Sequence, residues 1–295
     1  MKIFLTGSTG FIGKNLIDSF KKKYQFTHLD RNKKSIGIKE DVVIHLAGKA
    51  HDLSITQNPN EYYEINTELT KKVFDAFIHS DAQTFIFLSS IKAVSDSPNE
   101  ILTENSIPKP KTHYGKSKLL AENYILSQKL KGNKRAIILR PCMVHGTGNK
   151  GNLNLLYTFV TKGIPWILGS FDNHRSYCSI DNLLFCIDEI ITNQNFSSGI
   201  YHVADDVPLT TNKIIELISE SKGTKPIIWQ VPRKLIYIIF KVGDKLRLPI
   251  NSVTLKKLTE TYLLDNSKLK INLGKNLPLS SIEGMQKTLK SFSNQ

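Results

Sequence analysis

The fold is decided by the stretch Lys2–Gly13, KIFLTGSTGFIG, near the start of the 295-residue chain. A short β-type run leads into three glycines with the spacing GxxGxxG, and the apolar pair Phe11–Ile12 then opens a helical pattern. The order of strand, glycine turn and helix is typical of a site where backbone amides and the positive end of a helix hold a pyrophosphate. The stretch therefore predicts a βα unit that binds a dinucleotide.

The glycines of this turn have different predicted roles. Gly7 and Gly10 permit the tight turn and the close approach of the backbone to phosphate, whereas Gly13 allows the helix to pack onto the sheet. The predicted contacts of the turn with the dinucleotide are Gly7, Thr9, Gly10, Phe11, Ile12 and Gly13.

The first two thirds of the chain alternate short apolar runs with longer helical patterns. Strands are predicted over 2–5, 26–29, 42–46, 84–88 and 136–139, and helices over 11–23, 61–80 and 114–131. This alternation predicts an α/β fold, a Rossmann-type parallel sheet with helices on both faces. Right-handed crossovers place the carboxyl ends of the strands at one edge, where we expect the chemistry.

After Arg140–Pro141 the pattern becomes less regular and glycines punctuate the loops. Helices are predicted over 180–192, 212–221, 234–246 and 252–262, and a capping box at 280–283 opens a last helix toward Phe292. We therefore divide the chain into a dinucleotide-binding domain with the catalytic residues, 1–150, and a smaller C-terminal lobe, 151–295, that mainly binds substrate. Strands of this lobe can return to the Rossmann sheet.

Charge narrows the possible partners. The formal net charge is +14, but only six of the 40 basic residues are arginine, the residue that forks onto phosphates and base edges. A lysine-rich solvated surface is favoured over a nucleic-acid interface, and the positive field suits an acidic small-molecule substrate. The cysteines, Cys142, Cys178 and Cys186, lack a CxxC spacing, so they predict reduced packing residues and no metal site.

The apolar runs do not predict export or insertion into a membrane. The first run ends at Thr6, so no signal peptide is predicted and a cytoplasmic protein is expected. The longest run, Leu235–Phe240, is far below the roughly 20 residues of a membrane-spanning helix. It could lie on a membrane surface, but a core helix of the smaller lobe is the favoured interpretation.

Asp30 follows the second predicted strand and decides the predicted cofactor. A carboxylate there can accept hydrogen bonds from the adenosine ribose and would repel a 2′-phosphate, so NAD is predicted. Arg31 could instead stack on adenine or contact a 2′-phosphate, which keeps NADP as the alternative. Asp30 could also simply cap a turn.

The strongest catalytic pattern is YGKSK at Tyr114–Lys118. Because Tyr114 and Lys118 are one helical turn apart, they share a face, where the lysine ammonium can lower the pKa of the phenol. A phenol tuned in this way can act as a general acid or base near neutral pH. Ser89–Ser90, at the end of a predicted strand, supply a hydroxyl that can hold a substrate oxygen.

Together these motifs resemble the extended short-chain dehydrogenase/reductases of the NAD-dependent epimerase/dehydratase family. The resemblance rests on Gly7–Gly13, DVVIHLAG at Asp41–Gly48, Ser89–Ser90, Tyr114–Lys118 and Arg140–Pro141, and it continues through Arg175–Asn182, Leu273–Gly274 and Glu283–Gly284. It covers the chain nearly end to end. It implies hydride transfer between a nicotinamide and C4 of a UDP-linked hexose or aminohexose.

The resemblance also implies roles for single residues. Ser90, Tyr114 and Lys118 form the catalytic trio, and Lys118 also holds the nicotinamide ribose. Further cofactor contacts are expected at Leu46, Ala47, Gly48 and Ser89. The expected substrate contacts are His51, Asn66, Lys92, Asn152 and Arg175, the last two toward uridine diphosphate. Asn66 can equally be structural, His51 a capping residue, and the other three solvated surface groups.

One departure from the family narrows the reaction. Where 4,6-dehydratases have Asp-Glu after the catalytic hydroxyl, this chain has Ile91–Lys92, and isoleucine cannot transfer a proton. Dehydration is therefore disfavoured. The surrounding strings resemble a UDP-glucose 4-epimerase-like subgroup that also includes 4-ketoreductases forming UDP-N-acetylquinovosamine, although Val94–Ser95 replaces its usual Asn-Gly. Epimerase and ketoreductase both remain open.

A second departure is the link from Asp30 to Asp41, which is too short for the usual third strand and its preceding helix. One wall of the adenine pocket is expected to be missing, which suits a reductase that exchanges its cofactor in each cycle. A non-catalytic dinucleotide sensor is the alternative from another class, but such proteins typically lose the Tyr or Lys that this chain retains. The resemblance also implies a homodimer formed through the helix of the Tyr-x-x-x-Lys motif and its neighbour.

Overall fold

The structure is a computed structural model that describes residues 1–30, 35–49, 58–149, 151–246 and 251–293. Two residues with predicted contacts, Arg31 and His51, lie outside the described residues.

The first half of the chain alternates strands and helices as predicted. Its elements are β1 (Lys2–Thr6), α1 (Phe11–Phe20), β2 (Gln25–His28), β3 (Val42–His45), α2 (Asn60–Tyr63), α3 (Leu69–Ile78), β4 (Thr84–Leu88), α4 (His113–Ser127) and β5 (Arg135–Pro141). A π-helical turn at Glu64–Glu68 joins α2 to α3, and a 3₁₀ turn at Ile91–Ala93 follows β4. The predicted strands are confirmed to within two residues at each end. Helix α4 ends four residues before the predicted Lys131, where Gln128 turns to an extended conformation.

The second half contains shorter strands and more helices. Its elements are β6 (Met143–His145), α5 (Asn152–Thr161), β7 (His174–Arg175), β8 (Tyr177–Ser179), α6 (Ile180–Thr192), β9 (Gly199–Val203), β10 (Leu209–Thr210), α7 (Thr211–Ser221), α8 (Arg233–Lys245), α9 (Ser252–Thr259), α10 (Ser267–Leu273) and α11 (Ser281–Ser293). The predicted capping box is confirmed: Glu283 N donates to Ser280 Oγ, and Ser280 N donates to a Glu283 carboxylate oxygen. Helix α9 ends three residues before the predicted Tyr262.

The main sheet is parallel and has the order β2-β1-β3-β4-β5-β9. Its sixth strand, β9, comes from the second half of the chain, so that half does return to the Rossmann sheet. Successive residues of β1 pack on opposite faces: Ile3 and Leu5 lie in a core with α6, and Phe4 lies in a core with α3 and α4. Helices therefore cover both faces of the sheet, which confirms the predicted Rossmann-type fold. Burial on both faces also explains why the strands are continuous apolar runs in the sequence.

On one side the sheet ends at β2. Strand β2 is the outermost strand, and within the described ranges no strand pairs with its free side. Three of its four residues are exposed, in contrast to the fully buried β3 and β4. The described part of the short link between Asp30 and Asp41, residues 35–41, therefore adds no strand beyond β2 at this edge.

The C-terminal helices form two further apolar clusters. Helices α5, α7 and α11 share one cluster, and α8 and α9 share another with Trp166 and Phe171. The prediction that Leu235–Phe240 is a core helix holds for one face of α8 only, because Ile236 and Phe240 are buried but their neighbours are exposed. Over the ranges that the structure describes, every helix is too short or too polar to cross a bilayer.

The glycine turn generates a prediction about stability. A Cβ atom at Gly13 would lie 2.2 Å from the Gly7 carbonyl oxygen, so the alanine side chain needs the turn itself to move. We expect Gly13→Ala to lower the free energy of unfolding by about 1–3 kcal/mol, as overpacked sites do. Urea unfolding measures this loss.

Gly10→Ala is the matched control for this variant. Its Cβ would meet only the Gly7 carbonyl oxygen at 3.3 Å, and the backbone φ of Gly10 is −74°, which any residue adopts. The smaller loss should therefore belong to Gly10→Ala. Equal losses in the two variants would contradict the packing role of Gly13.

Candidate active site

Two loops meet at the carboxyl edge of the sheet because of Gly7. The residue has a φ of 75°, and a Cβ atom there would lie 2.6 Å from the Ala47 backbone nitrogen. A side chain at this position would push the loop after β1 away from the Leu46–Gly48 loop after β3. The absence of a side chain at Gly7 therefore allows the two segments that are predicted to contact the cofactor to lie next to each other.

The first turn of α1 is open to an anion. Among the described residues, no side chain caps the helix at Gly10, and no acidic residue lies in its first turn. The side chains of Phe11 and Ile12 pack against the core, so they orient the turn while their backbone amides begin the helix. Uncapped amides at the positive end of a helix fit the pyrophosphate of a dinucleotide. A Cβ atom at Gly13 would meet the Gly7–Ser8 turn, so glycine at this position lets the helix lie close to that turn.

A buried hydrogen-bonded chain supports these loops. Thr70 Oγ1 donates to the Asn66 carbonyl, so it accepts from His45 Nε2, 2.8 Å away. His45 Nδ1 is then the unprotonated nitrogen and accepts from Thr6 Oγ1, which itself accepts from Ala47 N. Burial, with Lys118 nearby, lowers the pKa of His45 to about 3, so the ring is neutral. Sequence reasoning missed this chain, in which Thr6 and His45 are paired between β1 and β3.

Tyr114 lies in the first turn of α4 and meets Ser90. Thr112 caps this helix by accepting from Gly115 N, and a Cβ atom at Gly115 would lie 2.3 Å from the Lys92 carbonyl oxygen. Glycine at this position thus allows α4 to approach the turn after β4, which brings the Tyr114 phenol close enough to the Ser90 hydroxyl for Ser90 to influence its pKa. The glycine directly after the tyrosine was the sequence signal for this contact.

The structure corrects the predicted tuning of Tyr114. Burial raises the pKa of the Tyr114 phenol, and the hydrogen bond from Ser90 is what lowers it in part. Lys118, which we expected to lower this pKa, instead donates from Nζ to the Leu88 carbonyl at 2.9 Å. Tyr114 is therefore a protonated phenol at neutral pH in this state of the protein.

Lys118 is buried one turn along α4 and faces the cofactor loops. A Cβ atom at Gly48 would lie 3.0 Å from Lys118 Nζ, so the absence of a side chain there leaves space beside the ammonium group. Burial lowers the pKa of Lys118 to about 8, and the Glu122 carboxylate acts in the opposite direction. The pKa of Lys118 thus lies close to neutral pH, and the charged form still predominates at pH 7.

Glu122 belongs to a buried network that sequence reasoning missed. Its carboxylate accepts two hydrogen bonds from Arg140, at 2.9 Å from Nε and 2.5 Å from one terminal nitrogen, and a third from the Ser89 hydroxyl. The hydroxyl of Ser89 points at Glu122 in the interior, which leaves only the Ser89 backbone for the predicted cofactor contact. The signal available in the sequence was the position of Glu122, one further turn after Lys118 on the same helix face.

Asn66 also needs correction as a predicted substrate contact. It is fully buried in the π-helical turn, where its side-chain oxygen accepts from Lys49 N and its amide donates to Lys49 O and to Ser117 Oγ. All of its polar atoms are thus bonded to protein. Asn66 fixes the loop after β3 to α4, the structural role that the sequence had left open.

Lys92 and Arg175 lie on either side of one residue, since Lys92 Nζ lies over the Tyr262 ring and Arg175 forms a β-bridge with Tyr262. Lys92 Nζ donates to the Asp96 carbonyl at 2.7 Å and lies over the Tyr262 ring. Arg175 donates to two carbonyls at the C-terminal end of α9, those of Lys257 and Glu260. Burial lowers the pKa of Lys92, and both Glu260 and Arg175 are close enough to influence it.

The remaining predicted contacts lie at the rim. Asn152 is exposed as the first residue of α5. Asp30 is exposed two residues after the end of β2, at the edge that carries the glycine turn. In the described ranges, no group of His, Cys, Asp and Glu side chains could hold a metal ion. Burial raises the pKa of all three cysteine thiols, so they are protonated.

A parallel sheet with an open glycine turn at its edge, next to a Ser-Tyr-Lys arrangement, defines a dinucleotide-dependent oxidoreductase class. A family model described as the NAD dependent epimerase/dehydratase family matches residues 36–204. The chain is also 30% identical to a UDP-glucose 4-epimerase of Vibrio cholerae, across 98% of this chain and 95% of that protein. The chain therefore belongs to the NAD-dependent epimerase/dehydratase family.

Two further similarities show the range of this family. A GDP-6-deoxy-D-talose 4-dehydrogenase of Aggregatibacter actinomycetemcomitans is 28% identical, over 68% of this chain and 75% of that protein. The crystal structure of a UDP-glucuronic acid 4-epimerase from Bacillus cereus with NAD superimposes with a TM-score of 0.75, at 18% identity, over 100% of this chain and 99% of that one. The fold is thus that of the NAD-binding members.

The Glu122 network generates a prediction about pH dependence. Glu122 raises the pKa of Lys118, so Glu122→Gln lowers it below about 8. If activity needs the lysine ammonium, activity is then lost at a lower pH as the pH rises, with the alkaline limb displaced by about one unit or more. The pH profile of kcat/KM measures this displacement.

The same variant leaves Arg140 as a buried cation without its partner, so we also expect a loss of about 3–5 kcal/mol in stability. The double variant Glu122→Gln/Arg140→Met removes both charges and should recover much of this loss. An unchanged alkaline limb in a folded Glu122→Gln protein would show that Glu122 does not tune Lys118.

Proposed function

We propose that this protein is an NAD-dependent 4-ketoreductase of a nucleotide-linked sugar, acting on the C4 carbonyl of a UDP-linked hexose or aminohexose. The observation that carries the proposal is geometric: Gly115 lets α4 approach the turn after Ser90, which brings Tyr114 next to Ser90, and Lys118 lies one turn further along α4 beside the Gly48 loop. Two hydroxyls at one point can hold a single substrate oxygen. The loop beside them belongs to the predicted cofactor site.

Each member of the trio has a distinct part in this proposal. Ser90 and Tyr114 hydrogen-bond to the C4 oxygen, and Tyr114 gives its proton to that oxygen as the carbonyl is reduced. Lys118 holds the nicotinamide ribose with its buried ammonium group. When bound, the nicotinamide supplies the hydride. The open first turn of α1 fits the pyrophosphate, and Asp30 at the end of β2 favours NAD over NADP.

The substrate class rests on family membership and on charge. The relatives in this family carry UDP-linked and GDP-linked sugars in their names. Lys92 and Arg175 lie close together near Ser90, and we propose that Arg175 and Asn152 contact the diphosphate. Arginine suits such oxygens, although Arg175 must first release the α9 carbonyls. The net charge of +14 supports an anionic substrate.

One observation favours the ketoreductase over an epimerase. Strand β2 is the outer strand, so in the described chain no neighbouring strand builds a wall for the adenosine beyond it, and a loosely held cofactor can exchange. The second candidate is a 4-epimerase, favoured by the similarity to the Vibrio cholerae protein.

Two other activities find less support. A 4,6-dehydratase needs an acid and a base after the catalytic hydroxyl, but here Ile91 is buried and Lys92 bonds to a carbonyl. A non-catalytic dinucleotide sensor would not need the Ser90–Tyr114 contact.

We also propose a homodimer through the outer side of α3 and α4, where Leu120 and Leu126 are exposed. A monomer in sedimentation velocity would contradict this proposal.

The ketoreductase proposal predicts how the cofactor behaves. We expect the purified protein to contain little nucleotide, to bind NADH reversibly, and to consume it stoichiometrically with a UDP-4-keto-6-deoxy-hexosamine. Measured kcat/KM values should favour NADH over NADPH because of Asp30. Tyr114→Phe is the control, in which cofactor binding persists while turnover falls by about 10²–10⁴.

The epimerase gives the opposite set of results. Stoichiometric nucleotide that survives purification, together with interconversion of C4 epimers without added cofactor, would overturn the ketoreductase proposal. A clear preference for NADPH would reverse the assignment of Asp30.

A further inference from the structure

Helix α8 presents an apolar stripe to solvent. The five apolar side chains of the stripe are 41–62% exposed: Leu235, Ile238, Ile239, Val242 and Leu246, the last at the C-terminal cap. Their spacing, i, i+3, i+4, i+7 and i+11, places all of them on one face within an arc of about 100°. Isolated exposed apolar residues are ordinary, but a continuous stripe over three turns marks a binding surface.

The fold does not need this stripe. Helix α8 is attached to the lobe by a different face, on which Ile236, Phe240 and Gly243 are buried. Ile236 and Phe240 pack in the cluster that contains Trp166, Phe171 and Leu255. The helix is therefore held rigidly by one apolar face and displays a second one, which is unusual because a surface helix normally presents polar residues there.

A row of lysines borders the stripe. Lys234, Lys241 and Lys245 are exposed and lie, by helical position, along the side of the stripe that is remote from the buried face. Among the described residues, none of the three forms an ion pair. The acidic residue of the helix, Asp244, is held by Ser252 of α9, where it accepts from the backbone nitrogen and from the hydroxyl.

We propose that α8 docks on the surface of an anionic lipid bilayer. The stripe would enter the boundary between headgroups and acyl chains, and the lysine row would lie against lipid phosphates. The charge of this surface is complementary to anionic lipid, as is the net charge of +14. A second copy fits less well, because a two-fold contact between antiparallel copies of the stripe would bring equivalent lysine rows close to each other. This inference does not rest on the proposed reaction.

Co-sedimentation with vesicles tests the proposal. We expect the full-length protein to bind phosphatidylcholine vesicles that contain phosphatidylglycerol, to bind pure phosphatidylcholine vesicles much less, and to be released by high salt. Ile238→Glu/Val242→Glu should abolish binding, because it places two carboxylates in the stripe. The matched control is Ile107→Glu/Ile271→Glu, which changes two side chains that are 76% and 78% exposed elsewhere and should bind like the parent.

The lysine row gives a second, independent variant. Lys234→Gln/Lys241→Gln/Lys245→Gln keeps the stripe and should lower the partition onto anionic vesicles about 100-fold, at about fivefold for each lysine. Circular dichroism and thermal unfolding verify that each variant is folded. Binding that is unchanged in the stripe variant or in the lysine variant would overturn the proposal. The proposal would also be overturned if the parent protein did not bind vesicles and the stripe variant had a different oligomeric mass. That pair of results would indicate a contact between copies of the chain.

Discussion

The carboxylate of Glu122 is the group on which the catalytic arrangement depends. It is buried between α4 and β5, accepts hydrogen bonds from Nε and one terminal nitrogen of Arg140 and from the hydroxyl of Ser89, and raises the pKa of Lys118. A buried ion pair of this kind adds little stability over an apolar core, but it is costly to break. Its contribution here is to position the catalytic residues. It fixes α4 against the ends of β4 and β5, so that Tyr114 meets Ser90 and Lys118 reaches the Gly48 loop.

Much of the fold follows from local sequence. The apolar strands, the GxxGxxG turn and the capping box each have a physical reason to form, and each was predictable. What escaped prediction depends on contacts between distant residues. His45 belongs to an apolar strand in the sequence pattern, but its ring bridges Thr6 and Thr70. Ser89 and Ser90 are adjacent, but the alternation of an extended chain turns the first toward the interior and the second toward Tyr114.

The open edge of the sheet and the stripe on α8 differ in how far the sequence could predict them. The missing strand beyond β2 was predictable, because the number of residues between Asp30 and Asp41 restricts what the chain can build. The orientation of α8 was not predictable, since it has apolar residues on two faces and the sequence alone cannot show which one the lobe buries. Only the packing of Ile236 and Phe240 against the α9 cluster decides this.

The central claim is that Ser90, Tyr114 and Lys118 hold C4 of a sugar against the nicotinamide. Its most direct test is isotopic. The protein is supplied with NADH that carries deuterium at the transferable position of nicotinamide C4, together with a UDP-4-keto sugar, and the product is examined by NMR. The account predicts deuterium at C4 of the sugar, and none there with Tyr114→Phe over the same period. Deuterium at another carbon, or oxidation of NADH without deuterium in the sugar, would contradict it.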